Sequence, residues 1–250
     1  MLGVISAMSL PFEVLAKLAR SVQPLVFETG IEATPYSVLG TAFLVGYEGS
    51  PYVLTARHSL NPENIGPICI FPSDTSQHII PLKDVFFVPR EEFSEDFVDL
   101  AVMTIDVSRI TQEDVAQATL IDLARASGNW IADSQNAEFV ILGYPADHSF
   151  VDYDNQMLRT DRVTLHAKYV GPSISPHLYE VEISEPHELT TFNGFSGSPI
   201  FAWAPRPGVP TAPALCGMAI RGSSESGRIH FLDRSVLFDA LRITRAHESR

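Results

Sequence analysis

The sequence predicts an all-β chain, built as an antiparallel barrel or sandwich with a helix near each end. Three observations predict it. Short apolar runs of strand length recur along nearly the whole chain, from Val26-Phe27 to the segment Arg228 to Leu232. Glycine (15) and proline (18) punctuate them often enough to supply a turn between most neighbours. Helical spacing of apolar residues appears only close to the two ends. At 250 residues and 45 % hydrophobic, the chain can bury a substantial core as one large domain or two small ones.

The first element is a helix. Ser9 reads as its N-cap and Pro11 lies in its first turn. Phe12, Leu15, Leu18, Ala19 and Val22 recur at helical spacing, and Pro24 ends it. It packs on the body of the protein or docks a partner. The period then changes. Val38-Leu39, Ala42 to Val45, Tyr52 to Ala56, Ile68 to Phe71, His78 to Leu82, Val85 to Val88 and Leu100 to Ile105 read as short strands. Residues 111–127 break this rhythm; Thr111-Gln112-Glu113-Asp114 resembles a capped helix start or a turn. A second set of strands follows at Glu138 to Pro145, Val163 to Val170, Leu178 to Ile183, Ser198 to Trp203, Ala214 to Ile220 and Arg228 to Leu232. Residues 204–213 are Pro-rich and read as a surface loop. Val236, Leu237, Ala240, Leu241 and Ile243 mark a closing helix over Asp233 to Arg245.

Charge narrows the partners. The net charge is −13, and nucleic acid or an anionic membrane surface calls for the basic patch this composition does not provide. No apolar run is long enough to span a bilayer, and Met1 to Leu10 lacks the basic n-region of a secretory signal. Cys69 and Cys216 lie in strand-like contexts, and two free thiols fit a reducing, cytoplasmic setting. His78, His148, His166, His177, His187, His230 and His247 show no metal-ligand spacing with one another or with cysteine.

Three other residues carry chemistry. Ser196 sits between two glycines in Asn193-Gly194-Phe195-Ser196-Gly197-Ser198-Pro199, ahead of the apolar Ile200 and Phe201. Glycines let the backbone turn tightly and bring N–H donors beside a presented hydroxyl, which acyl transfer requires; the same residues also make ordinary surface turns. His58 ends the strand that finishes Thr55-Ala56-Arg57. Asp99 stands at the mouth of Leu100-Ala101-Val102; Glu95 and Asp96 are nearby competitors. A histidine titrates near neutral pH and can take the serine proton, and a carboxylate fixes the imidazole tautomer.

These blocks resemble the trypsin-like (chymotrypsin-fold) serine peptidases. The matching segments are Thr55-Ala56-Arg57-His58, Asp99-Leu100-Ala101-Val102 and Gly194-Phe195-Ser196-Gly197-Ser198-Pro199. Weaker matches are Leu142-Gly143-Tyr144-Pro145 and Gly217 to Gly222, and the likeness spans about residues 25 to 245. It implies two antiparallel six-stranded β-barrels, over 25–110 and 135–232. A helical extension (1–24) precedes them, a connection (111–134) joins them, and a C-terminal helix and tail (233–250) follow. It implies Ser196 as nucleophile, His58 as general base and acid, and Asp99 as the orienting carboxylate. The N–H groups of Gly194 and Ser196 would form an oxyanion hole, and Ile220-Arg221-Gly222 would pair with a substrate backbone. No cofactor is implied; the partner is a protein or peptide substrate, with a regulatory protein also possible in principle. The α/β-hydrolase scaffold fits poorly, because its order is serine, acid, histidine and its serine opens a helix.

The resemblance also implies where specificity lies. Thr190, Thr191, Phe192 and Asn193 would form one wall of the pocket and Ile220 to Gly222 another, with Arg228 and His230 lining the rest. Thr190 stands where an acid would bind lysine or arginine, so a basic substrate side chain is disfavoured. Arg221, Arg228 and His230 could favour an acidic or polar side chain; with the arginines in solvent, the pocket takes small apolar residues. Phe195 replaces the acid through which zymogens are switched on, so activation by N-terminal cleavage is not expected. The functional readings are an endopeptidase, constitutive or switched on by a partner, or an idle binding module on the same fold.

Overall fold

The structure is a computed structural model, and it describes residues 10–32, 36–60, 68–72, 78–88, 99–111, 113–114, 118–124, 129–152, 157–185, 189–205 and 212–248. Fifteen strands and three α-helices fall within them. The order is α1 (Phe12–Ala19), β1 (Val22–Glu28), β2 (Tyr36–Tyr47), β3 (Ser50–Thr55), β4 (Ile68–Cys69), β5 (Leu82–Phe87), β6 (Ala101–Ile105), β7 (Ile121–Asp122), α2 (Trp130–Asp133), β8 (Glu138–Gly143), β9 (Ser149–Asp152), β10 (Met157–Thr160), β11 (Val163–Pro172), β12 (Leu178–Ile183), β13 (Pro199–Trp203), β14 (Ala214–Ser223), β15 (Arg228–Asp233) and α3 (Arg234–Glu248).

The C-terminal strands form a closed barrel, β11-β12-β15-β14-β13-β8, with antiparallel neighbours throughout. The N-terminal strands do not close. They make a curled sheet in the order β4-β1-β2-β3-β6-β5, and β7 runs parallel to β2. This corrects the expectation of two closed barrels. The outer strand β4 has only two residues, and they pair with β1 and not with β5. Among the described residues the seam carries one backbone hydrogen bond between the flanking segments, from Ile80 N–H to the Ile70 carbonyl at 2.7 Å.

Three apolar cores follow from the alternation of side chains along the strands. Leu25, Leu44, Val53 and Met103 fill the N-terminal sheet. Trp130, Phe139, Phe195 and Phe231 fill the barrel. The third core joins the two units: Phe43, Tyr52, Leu100, Tyr144, Phe201 and Leu237 pack together, with α3 laid across them. Cys69 and Cys216 are buried and unbridged, and burial pushes the Cys69 thiol up to about 12. No helix of the described residues is long and apolar enough to cross a membrane.

Local departures from the sequence reading have physical causes. Helix α1 stops at Ala19, because the Ser21 hydroxyl and the Gln23 amide cap the carbonyls of Leu18 (2.6 Å) and Arg20 (3.1 Å). Val22 then starts a strand. Pro24 sits inside that strand without loss, since β1 pairs with β4 only at Val26 and Phe27 and the proline is not asked for a second ladder bond. Phe12 faces solvent rather than the core. The run from His78 contributes only Leu82 to β5, which continues through Val85 to Phe87, and the hairpin β9–β10 has no clear signature in the sequence. Thr111 and Asp114 do form a capping box: the Asp114 carboxylate accepts from the Thr111 N–H (3.0 Å), and the Thr111 hydroxyl accepts from the Asp114 N–H (3.1 Å). Ser9 lies outside the described residues, as does most of the proline-rich loop.

Asp233 ties the last strand to the helices. One carboxylate oxygen accepts from the Ser235 N–H at 2.8 Å and caps α3; the other accepts from the buried Trp130 indole at 3.1 Å. Replacing Asp233 with alanine removes the cap and orphans the indole N–H. The expected loss is about 2–4 kcal/mol in a denaturant titration. A loss below about 1 kcal/mol would show that these bonds are not structural supports.

Candidate active site

Strand register brings the first two residues together. Thr55 of β3 lies opposite Ala101 of β6. The chain leaves β3 through a single 3-10 turn, Arg57–Ser59, that carries His58, and it reaches β6 directly from Asp99. Asp99 uses both carboxylate oxygens. Oδ1 accepts from the His58 backbone N–H at 3.0 Å, and Oδ2 lies 2.8 Å from His58 Nδ1. The Arg57 N–H also reaches the Asp99 carbonyl at 3.3 Å. The imidazole is therefore fixed at its backbone and at its ring. Glu95 and Asp96 lie outside the described residues.

The third residue comes from the other unit. Ser196 Oγ lies 2.9 Å from His58 Nε2 and 3.3 Å from the Ile220 carbonyl. Two consecutive turns present it. Phe195 N–H bonds the Phe192 carbonyl (3.1 Å), and Ser198 N–H bonds the Phe195 carbonyl (2.9 Å). The third position of each turn is a glycine with positive φ, +92° at Gly194 and +90° at Gly197, as a type II turn demands. A Cβ at Gly197 would overlap the Thr41 carbonyl, and one at Gly194 would overlap the Tyr144 carbonyl. Phe192 and Phe195 are buried and meet edge to face at 6.1 Å. They root the turns in the barrel core, and Ser196 follows directly on the second anchor.

The Asn193 carbonyl accepts from the Ala146 N–H at 2.8 Å, so the N–H of the same trans peptide, that of Gly194, points the opposite way. Neither Gly194 N–H nor Ser196 N–H is used within the described residues. Asp99 raises the pKa of His58 through its hydrogen bond to the ring and then through its charge; partial burial opposes it. The arrangement can take a proton from Ser196 Oγ, hold it on an imidazolium and stabilise an oxyanion.

The cleft beside Ser196 differs from the expectation in its lining. Phe192, Phe195, Ala219, Arg221, Gly222 and Ile229 surround it with Ser196. Its enclosed part measures about 10 Å³, room for about one water molecule. A methyl group added at Gly222 would lie 3.0 Å from both the Phe192 ring and the Ile229 side chain, so the cleft is narrow there. Arg228 and His230 do not line it. Strand alternation turns Ile229 inward and its two neighbours to the other face, where they approach Glu180 at 3.4 and 3.5 Å. Thr190 is exposed and bonded to Asp147 instead (Oγ1 to Oδ2, 2.6 Å), while Ile220 contributes its carbonyl. Among the described residues no group of His, Cys, Asp and Glu could hold a metal ion.

Two residues escaped the sequence reading. Thr41, on β2, is fully buried; its hydroxyl accepts from the Tyr144 N–H (2.9 Å) and donates to the Gly194 carbonyl (2.7 Å). Its own N–H donates to the Ser196 carbonyl at 3.1 Å. Asp147 is the other. Their partners are distant in the chain, and no local motif marks them.

The chain matches no protein-family model and no curated protein.

Two outcomes test this geometry. In an NMR titration the His58 ring should have its midpoint above the ordinary value of about 6.5, and Asp99→Asn should lower it. By linkage, the interaction stabilises the fold below about pH 6.5 and fades as pH rises through the folded-state midpoint. A midpoint unchanged by Asp99→Asn would contradict the assignment. Thr41→Val keeps the shape but leaves the Tyr144 N–H and the Gly194 carbonyl unpaired. It should cost about 1–3 kcal/mol on unfolding, and Thr41→Ser should recover most of that.

Proposed function

We propose that the protein is a serine endopeptidase that cleaves peptide bonds through an acyl-enzyme on Ser196, in the manner of the trypsin-like peptidases it resembles. The observation that carries the reading is the unbroken chain Asp99–His58–Ser196, at 2.8 and 2.9 Å, in a loop whose Gly194 and Ser196 N–H groups make no bond within the described residues. Ser196 Oγ attacks the carbonyl carbon as its proton passes to His58 Nε2. The N–H groups of Gly194 and Ser196 receive the oxyanion. The C–N bond breaks as His58 returns the proton to the departing amine, and water deacylates the ester by the same route. Asp99 stabilises the imidazolium in both halves.

A peptide is favoured over a small ester by the edge of β14. Its pairing with β13 ends at Met218, and the Ala219 backbone still bonds Gly197 and Ser198. Beyond Ala219, β14 is paired only with β15, through Ser223. This edge meets Ser196 at the Ile220 carbonyl and suits an added substrate strand. An idle module would be expected to turn the Asn193 carbonyl into the oxyanion site; that carbonyl is held by Ala146 instead. The narrow cleft, with Arg221 beside its apolar residues, favours an alanine-sized side chain before the cleaved bond on grounds of size.

A fluorophosphonate probe should label the protein, and Ser196→Ala should abolish labelling. Peptides with alanine at the cleaved position should exceed those with lysine or phenylalanine by about tenfold or more in kcat/KM. An unlabelled, folded wild type would sink the peptidase reading; a preference for lysine or phenylalanine would sink the pocket assignment alone.

A further inference from the structure

We infer that Asp147 is a positioning residue, a carboxylate clamp that holds the loop 190–194 in the form that offers the Gly194 N–H to the reaction. This rests on the peptidase reading of Ser196. Asp147 lies in the 3-10 turn Ala146–His148, just past the end of β8. Its Oδ2 accepts three hydrogen bonds from the start of the loop: Thr190 N–H at 3.0 Å, Thr190 Oγ1 at 2.6 Å and Thr191 N–H at 3.2 Å. The residue before it takes the other end, through Ala146 N–H to the Asn193 carbonyl at 2.8 Å. Gly194 is pressed against the same corner, so closely that a Cβ would stand 2.8 Å from the Ala146 nitrogen and 3.0 Å from Pro145 Cα. One short stretch, Tyr144 to Asp147, is thus the template over which the loop is laid.

The remaining bonds make the clamp effective. Thr191 Oγ1 accepts from the Asn193 N–H at 3.1 Å, and the Thr190 carbonyl accepts from the Ser224 hydroxyl at 2.9 Å. Thr190 and Thr191 are thereby committed on the side away from the cleft. The Thr190 hydroxyl, opposed by desolvation and aided by the Thr190 and Thr191 N–H groups and the nearby His148, holds the Asp147 carboxyl below its ordinary range. It is therefore an ionised acceptor at neutral pH, when charge-assisted bonds are strongest. Charge at this point matters because the residue next to the nucleophile is apolar: Phe195 is buried in the barrel core and offers the loop no ionic anchor. Asp147 is exposed and outside the cores, so its loss should disturb the loop rather than the fold.

The test compares wild type with Asp147→Ala, Asp147→Asn and Thr190→Val on an alanine peptide, with fluorophosphonate labelling rates alongside. Asp147→Ala should lower kcat and the labelling rate by about tenfold to a hundredfold, with KM changed far less, because a misplaced oxyanion donor is felt in the transition state. Asp147→Asn keeps an acceptor oxygen and should recover part of the loss. Thr190→Val removes only the shortest bond and should give a smaller decrease; it decides the matter if Asp147→Ala does not fold. In a Ser196→Ala background, where no chemistry occurs, Asp147→Ala should speed amide exchange across 189–197. Wild-type kcat and unchanged exchange in folded Asp147→Ala would overturn the clamp and leave the peptidase reading intact. An unlabelled wild type whose loop loosens on Asp147→Ala would overturn the peptidase reading and leave the clamp.

Discussion

The site depends on one buried threonine. Thr41 belongs to the N-terminal sheet, yet its hydroxyl joins the Tyr144 N–H and the Gly194 carbonyl of the C-terminal barrel. Its backbone N–H holds the Ser196 carbonyl, and its carbonyl accepts the Thr55 hydroxyl at 2.7 Å. All of its polar groups are paired inside a region without solvent. An unpaired buried polar group costs about 1–3 kcal/mol, so sliding the two units would break several such pairings together. His58 and Asp99 ride on one unit and Ser196 on the other. The 2.9 Å separation between imidazole and hydroxyl is therefore set by how firmly this joint is made.

The joint also explains the glycines. Gly197 lies where a side chain would strike the Thr41 carbonyl, and Gly194 lies where one would strike the Tyr144 carbonyl. Both need positive φ. Turn geometry and close packing make the same demand at the same two positions, while Phe192 ahead of them and Phe195 between them sink into the barrel. The period-three pattern Phe-Asn-Gly-Phe-Ser-Gly is thus an alternation of anchors and turns. Ser196 is presented because it sits in the second turn, before the glycine that reverses the chain.

Much of this was legible in the sequence, for reasons that can be named. His58, Asp99 and Ser196 each adjoin a strand whose apolar pattern is strong, and strand ends are points that a rigid scaffold fixes. The β3–β6 pairing then makes neighbours of two of them. The parts that could not be read depend on distant partners. Thr41 meets Tyr144 and Gly194 only after both units fold, and Asp147 meets Thr190 across 43 positions of chain. Pro24 misled for the opposite reason: its local signal says that a helix ends, and only the lack of a full ladder on that side of β1 makes a strand tolerable. The open N-terminal sheet was hidden too. Closure turns on the length of β4, and the apolar run from Ile68 to Phe71 exceeds the two residues that pair.

The open sheet is compatible with a precise site because nothing chemical hangs on its seam. His58 and Asp99 come from β3 and β6, which are adjacent in the strand order, whereas the unclosed edges are β4 and β5. The surface of the N-terminal unit that faces the barrel is the well-packed one, where Phe43, Tyr52 and Leu100 meet Tyr144, Phe201 and Leu237. A loosened seam reaches Asp99 only through β5, which pairs directly with β6. The opposite holds for the loop at Gly194. It is not itself part of a strand, and its geometry comes from Thr41 behind, the phenylalanines beneath, the Ala219 backbone of β14 and the Pro145–Asp147 corner alongside. Close packing is found at the joint and around this loop, where a Cβ at Gly194 or Gly197 would overlap a neighbouring carbonyl and the Ser196 hydroxyl stands 2.9 Å from His58.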